Sequence, residues 1–261
     1  MIGFNFIKTL ALSAAIFASS AFCIAKESQS AKDIEDLKQG QEAIRKELQE
    51  IKNLLISQRI PVQDPNQAPP TADVSDLDFE LSNGLIKGGA EAEIVLVNIT
   101  DYQCPYCSRY TRETYPQIVK DYVDTGKIRY AVVDNPLAFH AFAPKAAEAA
   151  RCAKDQGKYW EMHNAILSDQ QYLEKLSVYA DKIGLRAKEF LSCVDSSKYA
   201  DAVKKDMELA AQLKVSAVPG FIIAATDKEN PSRFKGISGI QGAMPFDVFK
   251  KQLDQALNET K

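Results

Sequence analysis

The seven residues Asp101-Tyr102-Gln103-Cys104-Pro105-Tyr106-Cys107 constrain this chain more than any other stretch. They follow an apolar, β-branched run, Ile94-Val95-Leu96-Val97-Asn98-Ile99-Thr100, and they open a helical pattern. The run reads as a buried strand. Pro105 suits the first helical position, where a missing N–H is no loss. Two thiols one turn apart at such a junction can close to a disulfide and open again. The helix N-terminus stabilises a thiolate on Cys104, which makes it the nucleophile. Cys107 lies further inside the helix and is the resolving cysteine that releases a mixed-disulfide partner. Zinc is the competing reading of any Cys-x-x-Cys. The chain has no second such pair and no His pair at ligand spacing, so a metal site is not expected.

The chain has 261 residues, a net charge of -3 and 46% hydrophobic residues, enough for one sizeable core with appendages. Weak acidity and the lack of a basic cluster argue against a nucleic-acid partner. At the N-terminus Lys8 precedes an apolar run from Leu10 to Ile24, and residues 1–25 read as a secretory signal rather than a membrane span. Phe22 stands where an acylated Cys23 would need a small neighbour, which argues against lipid anchoring. Cleavage after Ala25 leaves four cysteines in an exported chain, suited to an oxidising compartment and two disulfides.

Residues 26–60 read as a helical oligomerisation segment. Ile34, Leu37, Gln41, Ile44, Leu48, Ile51 and Leu55 alternate spacings of three and four without a slip. With Ile34 at an a position, Asp33 and Glu47 fall at g and Lys38, Arg45 and Lys52 at e. Parallel copies would then set Asp33 near Lys38 and Glu47 near Lys52. A homo-oligomer is expected, with dimer and trimer both open. The alternative is an amphipathic helix docked on its own domain. Pro61, Pro65, Pro69 and Pro70 then mark residues 61–75 as a semi-rigid linker, up to about 46 Å long at roughly 3.1 Å per residue.

Residues 76–261 alternate strand and helix. Leu85-Ile86 is a candidate first strand, followed by Ile94 to Thr100. A helix from Pro105 to about Asp124 is expected to kink at Pro116, and Lys127 to Val133 is the next strand. An Ala-rich stretch of about 139–198 reads as a helical insertion. A helix from Tyr199 to Leu213, strands at Phe221 to Ala225 and around Phe234 to Ile237, and a helix from Pro245 to Leu257 complete the pattern. The order predicts an α/β, thioredoxin-like core with a helical insertion, preceded by a helical, coiled-coil stalk.

Here the chain resembles the DsbA/DsbC/DsbG group of exported thiol-disulfide oxidoreductases, over roughly Leu77 to Leu257. The Cys104-Pro105-Tyr106-Cys107 motif after a strand, Pro116 in the active-site helix, the helical insertion, and Val218-Pro219 before a strand carry the resemblance. It implies a cis Pro219 beside the active site, with the backbone at Val218 pairing with substrate peptide. It also implies periplasmic location, cysteine-containing exported clients, a membrane redox partner that recycles the active site, and no cofactor. The subtype signals are mixed. Tyr106, Thr100-Asp101 and the N-terminal segment resemble the isomerases, whereas Val218 resembles the oxidases. Where oxidases often bury an acid, six positions before the first cysteine, this chain has Asn98. Tyr106 in place of the His common among oxidases points to a less oxidising disulfide.

Cys152 and Cys193 lie in the insertion, and a structural disulfide is the favoured reading, supported by a comparable pair in similar exported proteins. Closing a loop of about 42 residues would stabilise the fold by roughly 4 kcal/mol. Two free buried thiols are the alternative. His140 and His163 read as structural or surface residues. Gly236, Gly239 and Gly242 form no phosphate loop. Three functions of different classes fit: a periplasmic enzyme that forms or isomerises disulfides, a glutaredoxin-like reductase, and a non-enzymatic oligomeric peptide-binding chaperone.

Overall fold

The structure is a computed structural model that describes residues 32, 34–50, 73–81, 84–215 and 217–260. The signal segment 1–25, Asp33, most of the linker, and Ile51, Lys52 and Leu55 of the heptad lie outside the described residues. The chain divides into two units, Met1–Gln67 and Ala68–Lys261. In the first, residues 34–50 form helix α1, whose apolar positions Ile34, Leu37, Ile44 and Leu48 are all exposed.

The second unit is built on a six-stranded sheet of order β1-β6-β5-β3-β4-β2. The strands are β1 (Asp78–Glu80), β2 (Ile86–Gly88), β3 (Ile94–Thr100), β4 (Ile128–Asp134), β5 (Gly220–Thr226) and β6 (Arg233–Gln241). β3 and β4 run parallel and every other pairing is antiparallel. The chain is thus a thioredoxin-like α/β fold. β3 and β4 are buried along their whole length, as a strand flanked on both sides and covered on both faces must be. Tyr110 and Phe249 close over Phe221, with ring centroids 4.5 and 4.7 Å from it.

Three boundaries differ from expectation. Asp78–Glu80 is an edge strand ahead of the expected first one, too short and polar to show a period. The core reaches back to Val74, which the sequence assigns to the linker. Val74 is buried against β6, where a Cβ on Gly236 would come within 2.0 Å of its carbonyl oxygen, so only glycine fits. Strand β6 runs on to Gln241, past a bulge opposite Ile223/Ala224.

The expected kinked helix is three pieces: α2 (Pro105–Glu113), α3 (Tyr115–Ile118) and a π-helical turn (Val119–Val123). The break falls at Thr114, and Pro116 sits in the first turn of α3, where its missing N–H breaks no bond. The insertion contains α4 (Ala143–Lys154), α5 (Tyr159–Ser168), a 3₁₀ turn (Gln170–Tyr172), α6 (Ser177–Lys182) and α7 (Ala187–Asp195). Then α8 (Ala200–Gln212) leads back to the sheet, and α9 (Phe246–Glu259) ends it. Cys152 on α4 and Cys193 on α7 are bonded to each other, with Cα atoms 5.8 Å apart, which ties the two helices together.

Candidate active site

The site forms where β3 ends and α2 begins. Cys104 is the N-cap residue in extended geometry (φ -71°, ψ 123°), and Pro105 follows it in the first turn. That turn holds no acidic side chain to offset the N–H groups pointing at the sulfur. Cys104 and Cys107 are free thiols and both are buried. The Cys107 thiol donates to Cys104, and the N–H groups of Cys107 and Tyr106 add to it. Burial and the Asp101 charge oppose them, and the balance lowers the Cys104 pKa to about 6. Burial pushes the Cys107 thiol well up, and so does its role as donor to Cys104. The two thiols are therefore pushed in opposite directions, Cys104 toward the thiolate and Cys107 toward the thiol.

From the other side the Cys104 thiol reaches the Val218 carbonyl oxygen at 3.5 Å. The Val218–Pro219 bond is cis, and the Pro219 carbonyl accepts the Gly242 N–H at 2.8 Å. Gly220 opens β5 here, because a Cβ would meet the Ala217 carbonyl oxygen at 2.8 Å. Cys104, Cys107, Val218 and Pro219 thus come from segments over 100 residues apart into one site. The Cys152–Cys193 bond belongs to the insertion instead.

Sequence reasoning left out the residues that clamp this turn. Asp101 is fully buried, and its Oδ1 accepts the N–H of Gln103 (2.7 Å) and of Cys104 (3.1 Å). Its Oδ2 accepts the N–H of Leu137 (2.7 Å) and pairs with His140 Nδ1 (2.8 Å). Gln170 Nε2 donates to the carbonyls of Tyr102 (2.8 Å) and Cys104 (3.1 Å), and the Phe142 N–H donates to Gln103 Oε1 (2.8 Å). An Asp three residues before the cysteine that caps a helix was the available signal. His140, read as structural or surface, sits beside the Cys104 turn through its bond to Asp101. His163 is buried against Tyr102 OH (2.9 Å), and burial holds its pKa near 3, so it stays neutral. Asn98 is buried and donates to Tyr130 OH at 2.8 Å.

Around the buried thiols the surface carries exposed aromatic rings. Tyr106 is 58% and Phe139 77% exposed, and Phe142 and Tyr172 line a hollow of about 540 Å³ with Gln103, Gln170 and Leu173. Among the described residues no cluster of three His, Cys, Asp or Glu side chains is placed to hold a metal ion. An alkylation experiment reads the electrostatics directly. Iodoacetamide should label Cys104 of the reduced protein with a midpoint near pH 6, while Cys107 stays unlabelled at neutral pH, as mass mapping would report.

Comparison with known proteins agrees with this architecture. The thioredoxin family model "Thioredoxin_4" matches residues 80–240, so the chain belongs to the thioredoxin family. A Rickettsia typhi protein assigned as a protein-disulfide oxidoreductase is 27% identical over 209 residues, covering 76% of this chain and 72% of that one. A Na(+)/H(+) antiporter NhaA 3 of Salinispora tropica is 30% identical over 156 residues, which are 59% of this chain but only 23% of the antiporter. The crystal structure of Wolbachia pipientis alpha-DsbA1 superposes with a TM-score of 0.60 at 24% identity, covering 69% of this chain and 94% of that one.

Proposed function

We propose that this chain is an exported, periplasmic thiol-disulfide oxidoreductase that forms disulfides in client proteins through Cys104 and Cys107. The observation that carries this reading is the split between the two thiols, one held ionised and one held protonated. In the forward reaction a client thiolate attacks Cys104 of the Cys104–Cys107 disulfide. The S–S bond breaks, Cys107 leaves and takes a proton, and a mixed disulfide remains. A second client thiolate attacks the client sulfur of that bond and expels Cys104 as a thiolate. The client is oxidised by two electrons and the enzyme is reduced by two, which a membrane redox partner must then remove. A stabilised Cys104 thiolate is a good leaving group and favours the reduced enzyme, so the disulfide is an oxidant. The exposed rings of Tyr106 and Phe139 suit an unfolded client with apolar side chains on view.

The test is oxidation of a dithiol peptide by the oxidised protein, followed with thiol trapping of Cys104 and Cys107 in cells. Stoichiometric peptide oxidation and a mostly oxidised cellular pool support disulfide formation. A mostly reduced pool points to isomerase or reductase, and peptide binding without electron transfer points to a chaperone.

Isomerase activity is a second reading, favoured by the exposed stripe of Ile34, Leu37, Ile44 and Leu48 on α1. We take that stripe as a parallel self-association face, giving a dimer or trimer whose several sites engage one misbridged client at high effective concentration. Removing residues 26–60 should then leave a folded, redox-active monomer that has lost isomerisation of scrambled ribonuclease and gained oxidase character. Light scattering checks the first half. An unchanged oligomer after truncation would move the interface to the globular unit.

A further inference from the structure

The Asp101–His140 pair places a titratable charge next to the nucleophile's turn, and the exchange reaction described above does not use it. Asp101 Oδ1 carries two backbone N–H donors and Oδ2 carries one, so the carboxylate is committed as an acceptor on both oxygens. The hydrogen between Oδ2 and His140, at 2.8 Å, therefore belongs to Nδ1. That fixes the tautomer and leaves Nε2 as the nitrogen that gains or loses a proton. The ring is partly open to water, with 14% of its side-chain surface exposed while Asp101 has none. His140 can thus change charge without giving up the hydrogen bond that holds the turn.

We propose that His140 is a positioning residue for thiol-disulfide exchange at Cys104: its Nδ1–H holds the Asp101 carboxylate in place, and protonation at Nε2 cancels the charge that this buried carboxylate sets against the Cys104 thiolate. The proposal rests on Cys104 being the exchanging thiol. Its sign follows from the geometry, because Asp101 receives the Cys104 N–H and lies close enough for its negative charge to work against the thiolate. With His140 protonated the pair is neutral and the thiolate is favoured. With His140 neutral the pair carries one negative charge and the thiolate is disfavoured.

The other groups on the packed elements do not substitute for it. His163, reached through Tyr102, stays neutral. Cys107 is held protonated. Lys145, in the first turn of α4, is engaged by Glu148, the Val194 carbonyl and Ser197 Oγ. Gln170 is uncharged. Glu174 and Lys175, which line the hollow beyond Gln103 and Phe142, are opposite in sign.

Two equilibrium titrations of the full-length protein test this. In His140→Gln the amide can still donate to Asp101 but carries no charge, so the Cys104 midpoint, read by thiolate absorbance, should rise to about threefold weaker acidity. In the wild type, imidazole NMR should show Nδ1 protonated at every pH. The His140 midpoint should be higher in the reduced than in the oxidised enzyme, since coupling between the two groups is reciprocal. An unchanged Cys104 midpoint in a His140→Gln protein with wild-type near-ultraviolet dichroism would overturn the proposal. So would a His140 midpoint that is the same in both redox states, or a fixed proton on Nε2. If His140→Gln does not fold, the wild-type NMR titration decides alone. Neither readout requires turnover, so failure of wild-type peptide oxidation would count against the exchange reading and not against the pairing.

Discussion

Replacing Cys107 by Ala should convert the protein from a catalyst into a trap, with client proteins held covalently on Cys104, while Cys104→Ala should reduce dithiol oxidation to background. The expected loss is on the order of a thousandfold or more in either variant, because each removes one of the two sulfurs that the proposed exchange uses. The two failures differ in kind. In Cys107→Ala the Cys104 thiolate keeps its place at the start of α2, attacks a client disulfide, and forms a mixed disulfide that nothing inside the enzyme can open. It also loses the thiol that donates to it, so its pKa should climb from about 6 and trapping should become faster as the pH rises above neutrality. In Cys104→Ala the remaining thiol is buried and held protonated, and no adduct is expected at neutral pH. Non-reducing gels of trapped cell extracts separate the cases. Adducts that form in Cys104→Ala and not in Cys107→Ala would reverse the assignment of nucleophile and resolving thiol.

What the sequence shows and what it hides follow from the range of the interactions. Ile94 to Thr100 is visible because a strand buried on both faces needs an unbroken apolar run, and the motif after it because Pro105 marks the first helical turn locally. Cys104 and Cys107 could be named for the same reason, whereas Pro219 stood out only through the family resemblance. The edge strand Asp78–Glu80 has three residues, only one of them buried, which is too few to display alternation. Strand β6 looked short because Gly236, Ser238 and Gly239 interrupt its apolar pattern, yet Gly236 is needed where Val74 crosses. The local half of the clamp, Asp101 to the N–H groups of Gln103 and Cys104, was within reach, but His140 and Gln170 were not, since they lie 39 and 66 or more residues from the groups they hold and no spacing rule links them. Half of the chemistry was legible as a motif. The support that sets the thiol's electrostatics was legible only as a fold.

The same long range hides the buried charge cluster beside the site, and removing its arginine should cost the fold several kcal/mol, about 3–5. Arg151 on α4 is 3% exposed. Its Nε donates to Asp134 Oδ2 at 2.8 Å, and its Nη2 pairs with Asp206 of α8. Asp206 Oδ2 also accepts the Asp134 N–H at 3.0 Å. Asp134 ends β4 opposite Thr100, the residue before Asp101, so this cluster pins the insertion and α8 to the sheet beside the active-site turn. Burial raises the Asp134 pKa, Arg151 opposes it and Asp206 adds to it, and the balance stands at about 7. Arg151→Ala leaves two carboxylates facing each other with no cation between them, and should destabilise the fold by about 3–5 kcal/mol at neutral pH. For a unit of this size that is a fall of about 10 °C in Tm. The pH dependence identifies the cause. Without Arg151 the folded-state pKa of Asp134 rises beyond 7, far above its unfolded value, so the stability its protonation confers is full below the unfolded value and is lost as the pH rises from there through the folded-state pKa, a window that extends further up in the variant than in the wild type. Urea unfolding should therefore show a deficit that is smaller at pH 5 than at pH 8, and a deficit of equal size at both would assign the role of Arg151 to packing rather than to charge.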